Sequence, residues 1–96
     1  MDKETVFRWH PKKERSNLRK HGVTFEEAAS VFRDALSLTI TDPLHSDEED
    51  RLVTIGQSAG NKTLVVVHLE VGDEIRIISA RTATPSERRN YEEGTR

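Results

Sequence analysis

The sequence predicts an α+β domain in which an antiparallel β-meander follows an N-terminal helical hairpin and precedes a C-terminal helix, in the order β-α-α-β-β-β-β-α. Three observations carry that expectation. Capping residues and helically spaced apolar residues occur only towards the two ends of the chain. The second half holds short runs of strand formers divided by tight turn signals, which leave no room for crossover helices. Helices kept apart from consecutive strands are the arrangement of an α+β fold, and 96 residues make one domain, 1–96, with one core.

The elements follow in order. "TVFRW" (Thr5–Trp9) is rich in β-formers and reads as a short strand. In "HPKKERSNLRKHG", Pro11 suits a first helical position and Gly22 a C-terminal stop, with Leu18 as the only aliphatic residue between them. "TFEEAASVF" has a capping box in Thr24 and Glu27. Its Phe25, Ala28, Ala29 and Phe32 recur as one apolar helix face. "ALSLTI" (Ala35–Ile40) sets Leu36, Leu38 and Ile40 against Ser37, Thr39 and Thr41, the alternation of a half-buried strand. An acidic loop containing Pro43 and Asp47–Asp50 reads as solvated, or as a contact for a basic partner. "RLVTIGQ", "KTLVVVHLEV" and "EIRIISAR" are three further strands, turning at "SAGN" and "GD". Thr84, Pro85 and Glu87 open the last helix, which runs past Tyr91 towards Gly94.

Composition narrows the function classes. The chain has no cysteine, so no disulfide framework or thiolate chemistry is available, which suits a reducing cytosol. The charged start "MDKETVFRWH" lacks the apolar stretch of a signal peptide, and no run is long enough to span a membrane. The formal charge of −2 argues against general nucleic-acid binding, but its distribution is uneven: +3 over residues 1–33, −6 over 34–50 and +1 over 51–96. That pattern allows a local site for an anion on a near-neutral protein; a solvated mixed-charge surface would give it too.

The stretch "VVVHLEVGDEIRIISAR" (Val65–Arg81) interrupts strand formers with His68, Glu70, Arg76, Ser79 and Arg81. A two-residue Gly72–Asp73 turn would scatter apolar residues over both faces and pair His68 with Ile77. A three-residue Gly72–Glu74 loop segregates polar from apolar residues and is preferred, because a one-residue slip is costly when one face is buried. It puts His68, Glu70 and Arg76 on one face. They either form a Glu70–Arg76 salt bridge beside an ordinary strand histidine, or converge on a phosphate or carboxylate.

Taken together, "FRWHPKKERSNLRKHGVTFEEAASVF", "DPLHSDEEDR…IG" and "LVVVHLEVGDEIRIISARTATPSERRNYE" resemble the BrnT family of bacterial toxins from Phe7 to about Glu93. The family pattern falls on Trp9, Pro11, Lys13, Asn17, Lys20, His21 and Gly22, on His68, on Arg76 to Arg81, and on Glu87 and Tyr91. Its central Glu…Arg looks like Glu48 or Glu49 with Arg51. One position departs: the family usually has Asp where this chain has His10, and histidine caps a helix less well. The resemblance implies a RelE-like fold and a cytoplasmic ribonuclease that stops translation. It further implies a BrnA-like ribbon-helix-helix antitoxin, with which the toxin forms a hetero-oligomer and represses its own operon, so that operator DNA is met only through the antitoxin.

RNA cleavage without a metal requires deprotonation of a 2′-OH, stabilisation of the phosphorane and protonation of the 5′-oxygen. Arg76 and Arg81, with Arg51, suit charge stabilisation, and His68, with His21 as runner-up, suits proton transfer. Lys20, Tyr91 and Arg88 are candidate RNA contacts; Tyr91 would either stack on a base or pack on the sheet. No cofactor is expected and no metal site either, since His10, His21, His45 and His68 are scattered. The rival expectation is a non-catalytic module that binds protein or nucleic acid through the same arginines.

Overall fold

The computed structural model describes residues 5–42 and 50–94; the expectations for His45, Glu48, Glu49 and most of the acidic loop lie outside them. The elements are β1 (Val6–Arg8), α1 (Pro11–His21), α2 (Phe25–Ser30) running into a 3-10 turn (Val31–Arg33), β2 (Leu38–Thr41), β3 (Leu52–Gln57), β4 (Thr63–Val71), β5 (Glu74–Thr82) and α3 (Pro85–Gly94). Among the described residues no helix is long and apolar enough to cross a membrane.

The helix boundaries follow from local chemistry. His10 caps α1: its Nδ1 accepts from the Lys12 amide at 3.2 Å. Thr24 caps α2 through the Glu27 amide at 3.1 Å. Thr84 and Glu87 make a reciprocal capping box on α3, with Glu87 N–H donating to Thr84 Oγ1 at 3.1 Å and Thr84 N–H to Glu87 Oε1 at 2.8 Å.

Strands β2 to β5 form the antiparallel meander, but the whole sheet, ordered β1-β5-β4-β3-β2, is mixed because β1 joins its far edge parallel to β5. β2 is exposed at all four residues, against the half-buried strand expected from its alternation. It is an edge strand, and although Gly94 at the end of α3 lies beside Leu38, Leu38 and Ile40 stay 44% and 61% exposed.

The β4–β5 hairpin corrects the preferred register. It turns through two residues, with Gly72 at φ 61°, and Val71 pairs with Glu74, Leu69 with Arg76 and His68 with Ile77. At a bulge between Val67 and His68 the register shifts, and Val67 pairs with Ser79, Val66 with Ala80 and Val65 with Arg81. Both candidate registers therefore exist, one on each side of the bulge, which leaves Ile78 without a partner opposite. The tight turn sets the first register, and the extra residue restores burial of Leu64, Val66, Ile77 and Ala80 on a common face.

That face packs beneath α1 and α2 with Val23, Phe25, Ala28 and Val31 as its core. The only residue buried from α1 is Asn17, not Leu18, which is 46% exposed. β1 pairs only with Glu74–Arg76, so the edge of β5 beyond it is bare of strand. Asn17 fills in there: Nδ2 donates to the Ala80 carbonyl at 2.8 Å and Oδ1 accepts from the Ala80 amide at 3.0 Å. Its second Nδ2 hydrogen reaches the Val23 carbonyl, tying the hairpin turn to the sheet.

Candidate functional site

The pairing sorts side chains onto two sheet faces. Leu64, Val66, His68, Ile75, Ile77 and Ala80 lie under the helices; Val65, Val67, Leu69, Arg76, Ser79 and Arg81 lie on the other, open face. His68 and Arg76 are thus on opposite sides, contrary to the expected convergence, because the two-residue turn shifts Arg76 by one position relative to β4.

His68 is fully buried. Its Nε2 bonds the Thr54 hydroxyl at 2.7 Å, and Thr54 in turn bonds Thr39 at 2.7 Å, linking three adjacent strands. The Phe32 ring meets the imidazole edge-on at 4.8 Å between centroids, and Nδ1 has no partner among the described residues. Burial pulls its pKa from 6.5 down to about 4, so the ring is neutral near pH 7. Contrary to the catalytic role expected of it, His68 has no exposed surface and does not line the hollow of the open face.

The open face holds a hollow of about 520 Å³. Ile40, Val53, Val65 and Val67 from three neighbouring strands make an apolar floor, and His21, Asp42, Ser79, Arg81 and Glu87 provide polar groups around it. His21 arrives from the last turn of α1, which lies along the bare edge of β5 where Asn17 is anchored. Gly22 ends the helix there, its N–H bonding the Leu18 carbonyl at 2.9 Å.

Arg81 is gripped by Glu87 through two parallel bonds of 2.7 and 2.9 Å, and NH1 also reaches the Thr82 carbonyl at 3.3 Å. Of five guanidinium N–H groups, three are committed among the described residues, which leaves donors for a ligand held in a fixed orientation. The hydrogen bonds with Arg81 are the main cause that draws the Glu87 pKa down to about 2, while Glu87 raises that of Arg81.

The remaining expected site residues scatter. Arg51 is half-buried just before β3, its carbonyl accepting from the Asp42 amide at 2.9 Å, and does not line the hollow. Tyr91 is buried and its hydroxyl bonds Asp34, so it anchors α3 and is not displayed for base stacking. Burial, then that bond, raises its pKa to about 12. Lys20 and Arg88 are exposed and outside the hollow. Arg76 is exposed near the other end of β5, where it pairs with Glu74 at 3.1 Å.

The sequence reading did not place Asp42 or Ser79 in a site. Ser79 reaches the open face only through the bulge, and a strand-end aspartate before proline carries no distinguishing spacing. Among the described residues no three metal-ligating side chains cluster.

A sequence model described as the ribonuclease toxin BrnT of a type II toxin–antitoxin system matches residues 9–87. Among solved structures, the chain is similar to the Brucella abortus ribonuclease toxin BrnT. That likeness has a TM-score of 0.65 at 25% identity and covers 83% of this chain and 99% of that one. No curated protein matches.

Proposed function

Because the chain belongs to the BrnT family of type II toxin–antitoxin toxins, we propose that it is an endoribonuclease that cuts RNA without a metal ion and thereby stops translation. The observation that carries the reading is the meeting of His21 and Arg81 in one hollow on the open sheet face. The phosphodiester sits against Arg81, whose fixed donors meet the charge that grows on the non-bridging oxygens. His21 accepts the proton of the attacking 2′-OH, a task suited to imidazole near neutral pH. The new O2′–P bond forms as the P–O5′ bond breaks, and the 5′-oxygen takes its proton from solvent admitted by the open hollow.

The family reading brings with it a RelE-like fold, a BrnA-like ribbon-helix-helix antitoxin and joint repression of the operon. An apolar edge next to the hollow supports an antitoxin contact: Leu36, Leu38 and Ile40 are 53%, 44% and 61% exposed, on and just before edge strand β2. A second reading rests on the Arg81–Glu87 pair, which also clamps α3 to the sheet and would do so in a non-catalytic binding module.

Purified chain incubated with labelled RNA in EDTA separates the two. Cleavage leaving 2′,3′-cyclic phosphate ends, abolished by Arg81→Ala, supports the enzyme. No cleavage by pure wild type, together with retained antitoxin binding, supports the module.

A further inference from the structure

A second cationic hollow lies at the margin of the same open face. Arg8 and Arg76 are registered partners in the parallel β1–β5 pair, so two guanidinium groups stand side by side. Like charges in that position repel. Glu74 relieves the repulsion by splitting its carboxylate: Arg8 Nε donates to Oε1 at 2.7 Å and Arg76 NH2 to Oε2 at 3.1 Å. One carboxylate between two guanidinium groups leaves a net positive charge, and the other N–H groups of both arginines have no partner among the described residues. The hollow has a volume of about 450 Å³ and is lined by both arginines with Trp9 and His10. His10 is also the N-cap of α1, so the positive end of that helix lies beside the hollow.

Nothing in the proposed chemistry uses this hollow. Arg76 and Arg81 both project from the open side of β5, and with the bulge between them they stand opposite Leu69 and Val65, four residues apart on β4, or about 13 Å at roughly 3.3 Å per residue. An extended single strand covers such a length in a few nucleotides. We propose that Arg8 and Arg76 form a flanking-phosphate subsite, which holds single-stranded RNA a few nucleotides away from the bond that is cut at Arg81. The subsite rests on the ribonuclease reading for its ligand, and it makes Arg76 a residue that holds substrate and not one that touches the reacting phosphorus. Arg8, which no motif singled out, becomes its partner.

The test measures binding apart from cleavage. A fluorescent, fully 2′-O-methylated RNA oligonucleotide lacks the attacking hydroxyl, and its affinity for the full chain is followed by anisotropy over a range of salt. Each phosphate contact contributes about 0.7 to the slope of log affinity against log salt for a single strand. Arg8→Ala is expected to lower the slope by about that amount, Arg8→Lys to preserve it, and Glu74→Gln to tighten binding by freeing the pair's charge. Wild type that does not bind, an Arg8→Ala slope equal to wild type, or weaker binding by Glu74→Gln would each overturn the subsite. If the slope depends on Arg8 but unmodified RNA stays intact, the subsite stands and the ribonuclease reading falls.

Discussion

The two faces of the sheet use the same residue types to opposite ends. On the helix-bearing side a histidine, two threonines and an asparagine are polar but occupied with one another or with backbone: His68 with Thr54, Thr54 with Thr39, Asn17 with Ala80. On the open face a histidine, a serine and an arginine border a hollow, with the arginine oriented by Glu87. The difference teaches that a polar residue inside a hydrophobic strand is no guide to chemistry until its face is known. One bulged residue in β5 decides that face here.

The comparison can be broken most sharply at the open face. Arg81→Ala removes the fixed donors, and loss of one such group costs roughly 10²–10³-fold in turnover; RNA-cleavage kinetics would show it. A rate within a few-fold of wild type would take Arg81 out of the chemistry.

On the covered face the comparable experiment is acid titration. His68 has a folded pKa of about 4 against 6.5 in the unfolded chain, so the unfolded state binds more protons between those values. Stability is full above about pH 6.5 and falls as pH drops towards 4, by roughly 3 kcal/mol. Urea midpoints across that window should flatten in His68→Gln. Glu87 acts in a lower window: its stabilising contribution, present above 4.5, is lost towards pH 2.

Asn17→Leu tests the edge of the same face. It strips the Ala80 amide and carbonyl of their partners and should cost about 2 kcal/mol in chemical denaturation. The smallest effect is a gain. His10→Asp restores a charged acceptor at the N-cap of α1, worth about 0.5–1 kcal/mol and readable as a raised Tm.

Much of the architecture was legible because its signals are local. The caps at Thr24 and Thr84, the stop at Gly22 and the turn at 58–61 are short-range chemistry, and each lies at its expected place, whereas the hairpin turns at 72–73 and not through the expected three-residue loop. The parallel attachment of β1 was not legible, since nothing in three residues states which edge they join. Nor was the bulge. Pattern segregation favoured a single register for the hairpin, whereas the chain uses a tight turn and then corrects itself with Ile78. The two-residue turn separated His68 from Arg76, and the bulged residue carried Ser79 to the open side. Of the expected catalytic residues, Arg81 and His21 share the hollow because strand parity beyond the bulge matches the preferred register and because α1 passes the open edge of β5.

The most direct measurement compares His21→Gln with His68→Gln as purified, folded proteins cutting the same labelled RNA at neutral pH in EDTA. The account predicts that His21→Gln loses about 10²-fold or more in rate while His68→Gln stays near wild type. Full activity in His21→Gln beside a folded but inactive His68→Gln would contradict it.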